Sequence, residues 1–336
     1  MFAVLLIVNL RDEQADVVAH RPRDPAIRLA ELAAVTDTAW LATEARELAD
    51  QRPRTARTIR THIHRLRCLG ARLGHHLFEQ QRALDRGASA TLARANALSL
   101  VRAMALSDPP APACRALAAR LATERKKFLM SNTADALLAL DERLRDDACS
   151  RRELHGIAMQ ARDAISTNLL VELGRRTTAH VERTIGEVAR GLLAEVTSSL
   201  EELGERVSLH AFAGFDMVVL GRPHQPYCSR GSSGPFGDLV RFSSRSRIIG
   251  RARDELLDTL AVSSRHVIDS ALEDCEAACD ALARRMGERL DAAVKSVLIA
   301  MEAAESAHRA GHDHVARRRQ RLADWSRDLE TILASF

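Results

Sequence analysis

Aromatic side chains are nearly absent from this chain. They make up 3% of its 336 residues, and Tyr227 is the only tyrosine. A chain rich in alanine and leucine but poor in aromatics favours long helices packed through small aliphatic side chains over a compact sheet. Lysine is almost missing too, because beyond Lys126, Lys127 and Lys295 all the basic charge is arginine. The net charge of +4 is small, and acids and bases alternate along most of the chain. That is the signature of solvated helical faces, and it argues against a nucleic-acid partner.

Other absences narrow the function. The six cysteines (Cys68, Cys114, Cys149, Cys228, Cys275 and Cys279) form no C-x-x-C pair, and no leader places them in an oxidising compartment. Cys275 and Cys279 stand one helical turn apart on an apolar stripe and read as small core residues. No stretch approaches the ~20 apolar residues of a membrane span, so any membrane contact is expected to be peripheral and the chain cytoplasmic. There is no G-x-x-x-x-G-K-[ST] loop to cradle phosphates and no G-x-S-x-G elbow. The residues therefore point to no catalysis, no resident cofactor and no metal.

What is present is helical periodicity. Met1 to Val8 is a short apolar run that fits a buried strand. Helical patterns follow over about Ala26–Ala49, Arg54–Arg86 and Thr91–Leu106, and the Asp108-Pro109-Pro110-Ala111-Pro112 cluster stops the last. From Ala113 to Arg206 the pattern is helical, with a kink or cap expected at Ser131-Asn132-Thr133 and an interruption from Asp146 to Ser150. Apolar residues recur every three or four positions through Ile157, Ile165, Leu173, Val181, Val188 and Val196. The same spacing resumes over about Arg251–His308. A helix that long needs a partner, and Leu154–Leu203 returning antiparallel is the obvious one. Gly311 breaks the pattern before a last helix through Val315, Leu322, Leu329 and Ile332.

Between the two longest patterns lies the most unusual stretch, residues 210–247. It holds Phe212, Phe215, Phe236 and Phe242, half of the phenylalanines, among glycines and prolines that exclude one continuous helix. Phe212, Phe215, Met217, Val218, Val219 and Leu220 could insert shallowly into a bilayer, while Arg222, Arg230, Arg241, Arg245 and Arg247 meet anionic head groups. Equally, the phenylalanines could plug the end of the bundle or bury against a partner protein. His308, His312 and His314 with Asp313 form the best metal candidate, but Gly311 interrupts them, and a solvated helix end explains them better.

Long helices, the aromatic and glycine-rich interruption, and the arginine-rich re-entry at Arg241, Arg245, Arg247, Arg251 and Arg253 together resemble the C-terminal part of bacterial dynamin-like proteins. The likeness covers most of residues 85–336. Near the start, Val4 to Asp12 (VLLIVNLRD) is similar to the guanine-reading strand and motif of that family's G domain. Asn9 and Asp12 hold the spacing, and Leu10 stands where the lysine belongs. The resemblance implies that residues 1–85 are a small α/β remnant of the end of a G domain, with GTP available only if the reading frame extends upstream. It implies that residues 86–336 form a stalk that self-associates or pairs with an intact dynamin-like GTPase on an anionic membrane surface. The expected fold is an all-α, elongated antiparallel helical bundle. A soluble scaffold whose 210–247 segment binds another protein is the alternative.

Overall fold

The computed structural model describes residues 24–36, 38–51, 53, 55–105, 111–145, 150–204, 209–216 and 244–336. The strand read over Met1 to Val8, with Asn9 and Asp12, lies outside them. Among the described residues the chain is all helical: α1 Pro25–Val35, α2 Ala39–Asp50, α3 Ala56–Arg86, α4 Ala88–Ala105, α5 Ala111–Arg143, α6 Arg151–Glu202, a short 3-10 turn Leu209–Phe212, α7 Arg245–Arg309 and α8 His312–Ala334. They form two compact units, neither of them a continuous stretch of chain. In the first unit the described residues between 24 and 96 pack with residues 209–214 and 293–336.

The first unit is built on α3. Thr55 caps it through a reciprocal box with Thr58, and Gly87, at φ 82°, ends it in the left-handed region that suits glycine. Leu66, Leu69, Leu73 and Leu77 line one face and share a core with Leu29 and Leu41 of α1 and α2 and with Leu322, Leu329 and Ile332 of α8. Gly70 and Gly74 face side chains of α8. A Cβ added at Gly70 would lie 2.5 Å from Leu333 Cδ2, and one at Gly74 would lie 3.3 Å from Leu329 Cδ2. Leucine is a better helix former than glycine, so on an open face Gly70→Leu would stabilise α3. Here Gly70→Leu with Gly74→Leu is expected to destabilise the unit by about 1–3 kcal/mol per site through overpacking. Urea unfolding followed by tryptophan fluorescence checks this, and a midpoint unchanged or raised would contradict the packing.

The second unit takes α5, α6 and α7 up to Ala292. Ser150 opens α6 with a capping box: its hydroxyl accepts from Glu153 N–H, and the Glu153 carboxylate accepts from Ser150 N–H at 2.8 Å. At 52 residues α6 is about 78 Å long, and α7, at 65 residues, is about 98 Å. The kink expected at Ser131-Asn132-Thr133 does not occur. Ser131 and Asn132 donate back to the Phe128 carbonyl, and Thr133 to that of Leu129, so α5 absorbs them without a break.

Cross-helix pairs fix the directions. Along α7, Arg253 meets Asp141 of α5 and Ser264 accepts from Arg125 Nε of α5 at 2.8 Å. Partners that descend as α7 ascends mean that α7 runs opposite to α5. Glu124 with Arg176 (3.5 Å) and Arg120 with Glu187 (3.8 Å) set α6 opposite to α5 as well. It follows that α6 and α7 are parallel. Leu154, Ala158 and Ala161 share a core with Ile248, Ala252 and Leu256, and Leu173 shares it with Val267. The expected antiparallel return of α7 along α6 is therefore overturned. An amphipathic stripe reads the same in either direction, and only the short 144–150 link forces a neighbour to reverse.

Candidate anion-binding surface

Parallel α6 and α7 bring their N-termini to the same end of the second unit as the C-terminus of α5. The dipole at a helix start is positive, so two such starts together favour negative charge, although the capping box of Ser150 and Glu153 already takes up two N–H groups at the start of α6. The side chains add to this. Arg143 and Arg145 end α5, Arg151 and Arg152 open α6, and Arg247 and Arg251 stand in the first turns of α7. Arg245 donates to the Leu144 carbonyl at 2.8 Å and so ties the start of α7 to the end of α5.

Which of these arginines remain available follows from their partners. Arg253 is committed to Asp141, which raises its pKa. Arg162 is almost wholly buried and donates to Asp163 Oδ1 (3.0 and 2.8 Å) and to Glu255 Oε2 (2.6 Å). Arg251 Nε donates to the other oxygen of Glu255 at 2.8 Å. Among the described residues Arg143, Arg145, Arg151, Arg152 and Arg247 have no acidic partner. Glu153 sets a negative charge against them in the first turn of α6, and hydrogen bonds from the Ser150 hydroxyl and backbone N–H keep its carboxyl ionised by holding its pKa below the usual range. A cleft of about 220 Å³ opens between the first turns of α6 and α7, walled by His155, Met159, Arg162, Arg247, Arg251 and Glu255. It offers the exposed guanidinium of Arg247 beside a buried Arg162 whose acidic partners, Asp163 and Glu255, are themselves partly exposed.

The residues singled out in the sequence fare differently. Met217, Val218, Val219, Leu220, Arg222, Arg230, Phe236, Arg241 and Phe242 lie outside the described residues. Arg245 and Arg247 belong to the arginine-bearing end. Phe212 and Phe215 are 3% and 4% exposed, so they are interior side chains and do not present an inserting surface. The turn that carries Phe212 packs on α3. Burying an aromatic ring yields more free energy than leaving it wet, and a neighbouring helix supplies the cover here.

Two further clusters bear on ligand chemistry. His308 lies with Nε2 3.2 Å from the Leu84 carbonyl, and Gly311, at φ 100°, breaks the chain before His312. No histidine set able to hold a metal forms among the described residues. Cys114 of α5 and Cys275 and Cys279 of α7 do converge, with all three Sγ atoms within 4.8 Å of one another. Cys275 and Cys279 were readable as core residues, but Cys114, 165 positions away, carried no signal in the sequence.

No protein-family model matches the chain, and neither a curated protein nor a solved structure gives a match. Among the described residues no helix is long and apolar enough to cross a membrane.

Proposed function

We propose that this chain is a non-catalytic helical-bundle protein that docks peripherally on anionic membrane through the arginine-bearing end of α5, α6 and α7. On this reading it acts as a dynamin-like stalk, assembling with copies of itself or with a dynamin-like GTPase along its helical faces. The observation that carries it is the meeting of two helix N-termini at one end of one unit with Arg143, Arg145, Arg151, Arg152 and Arg247, which have no acidic partner among the described residues. The burial of Phe212 and Phe215 argues that docking rests on charge and not on aromatic insertion.

Each arginine near an anionic surface contributes about 1 kcal/mol, and salt screens it. Replacing Arg151, Arg152 and Arg247 with alanine is therefore expected to weaken binding to phosphatidylserine vesicles by about a hundredfold. Co-sedimentation at low and high salt measures this. Binding that ignores both the variant and the salt would refute the proposal.

A second reading has its own support. Met130 and Leu138 of α5 are 74% and 59% exposed. Exposed apolar side chains of this size suit a protein partner, and a soluble scaffold would show no vesicle binding at any salt.

A further inference from the structure

The cysteines of the second unit carry an inference independent of membrane docking. Cys275 and Cys279 sit one turn apart on α7, 0% and 1% exposed, and Cys114 reaches them from α5 with its Sγ 4.0 Å from that of Cys279. Small core residues need not converge by their polar atoms, and alanine or serine would fill the same volume. Three sulfurs drawn from two helices lie close to the spacing of a coordination set: with bonds of about 2.3 Å, sulfurs around a pyramidal three-coordinate centre stand about 3.5 Å apart, a small inward movement of side chains already within 4.8 Å of one another. Soft thiolate donors select thiophilic ions.

We infer that Cys114, Cys275 and Cys279 form a three-coordinate site for a trivalent thiophilic metalloid of the arsenite class. Coordination number and charge decide the class. Among the described residues no histidine or carboxylate joins the cluster as a fourth ligand, so a closed tetrahedral zinc site is incomplete. The charged side chains that act on these thiols are acidic, Glu276 on Cys114 and Asp280 on Cys279. Three thiolates around a monovalent or divalent ion leave net negative charge on two buried sulfurs and one half-buried one, which is costly. A trivalent centre leaves none. The exchange balances without redox change: As(OH)₃ and three Cys–SH groups give As(S–Cys)₃ and three waters. Each S–H proton leaves with a departing hydroxide, and three As–O bonds are replaced by three As–S bonds. Loading the site staples α5 to α7.

The test uses the full reduced chain and sodium arsenite as the probe. One arsenic per chain should bind, and the thiols titratable after rapid denaturation should fall from six to three. Removing an outer partner of a metal site costs 10–100-fold in affinity, so loss of a ligand in Cys114→Ala or Cys279→Ala should cost about a hundredfold or more. A variant lacking Cys68, Cys149 and Cys228 keeps the cluster and should bind as the native chain does. Native-like helicity by circular dichroism qualifies each variant, and the thiol count on the unmodified chain needs none of them. Equal binding after loss of Cys114 would overturn the site. Tighter binding of cadmium or copper(I) than of arsenite would overturn the trivalent assignment. A Cys114–Cys279 disulfide forming in place of any arsenic adduct would overturn both.

Discussion

Replacing Arg94 with methionine is expected to destabilise the first unit by about 3–5 kcal/mol, the usual cost of leaving one member of a buried ion pair alone. Arg94 of α4 and Glu79 of α3 are bonded twice, Nε to Oε2 at 2.8 Å and Nη2 to Oε1 at 2.6 Å, with side chains 2% and 1% exposed. Two charges taken out of water are tolerated because the fork of the guanidinium matches both carboxylate oxygens. Methionine fills much of the space but strands the carboxylate, which must then be buried bare or take up a proton. The double variant Glu79→Leu with Arg94→Met removes both charges and should recover most of the loss. Both tryptophans of the chain, Trp40 and Trp325, pack against the core of this unit, so their fluorescence in urea reports its unfolding. A double variant no more stable than Arg94→Met would show that the pair does more than neutralise itself.

The second large effect is acid lability through His75. Its ring is almost wholly buried and neither nitrogen has a hydrogen-bond partner among the described residues. Burial first, then the nearby positive charge of Arg94 and His210, pushes its pKa from 6.5 down to about 4. Glu79 lies 3.8 Å from Nδ1 and would favour protonation, but its charge is already taken by Arg94. The folded pKa is below the unfolded one, so the unfolded chain binds the proton first. Stability contributed by neutral His75 is whole above pH 6.5 and is lost as the pH falls from 6.5 toward 4, by about 3 kcal/mol in all. His75→Leu should flatten that part of the profile without costing stability at pH 8. Urea midpoints measured every half unit give the comparison, and an unchanged acid limb in the variant would place the lability elsewhere.

Much of the helical layout was legible because it is local. Spacing of three and four positions located α3, α6 and α7, Gly311 marked the break before α8, and the interruption ending at Ser150 marked the start of α6. Ser131, Asn132 and Thr133 misled because the polar side chains that cap helices can also bond back into them. Direction was not legible. Leu154 to Leu200 would present the same stripe to a neighbour running either way, so nothing in that pattern announced a parallel α7. The gathering of arginines at one end depends on that direction, because an antiparallel pair would have sent Arg151 and Arg247 to opposite ends. The phenylalanines were noticed for their rarity, yet rarity does not say whether a ring faces lipid or a helix, and Phe212 faces α3. Cys114 was invisible as a partner of Cys279 for a plainer reason: contacts between distant positions leave no local trace.

The most direct test of the account is hydrogen exchange on the full chain, free and bound to phosphatidylserine vesicles. Membrane docking by the arginine-bearing end predicts slowed exchange at the start of α6, from Arg151 to about His155, and at the start of α7, from Arg245 to about Gly250, both reversed by high salt. Protection confined to α5 around Met130 and Leu138, or no change anywhere, would contradict it.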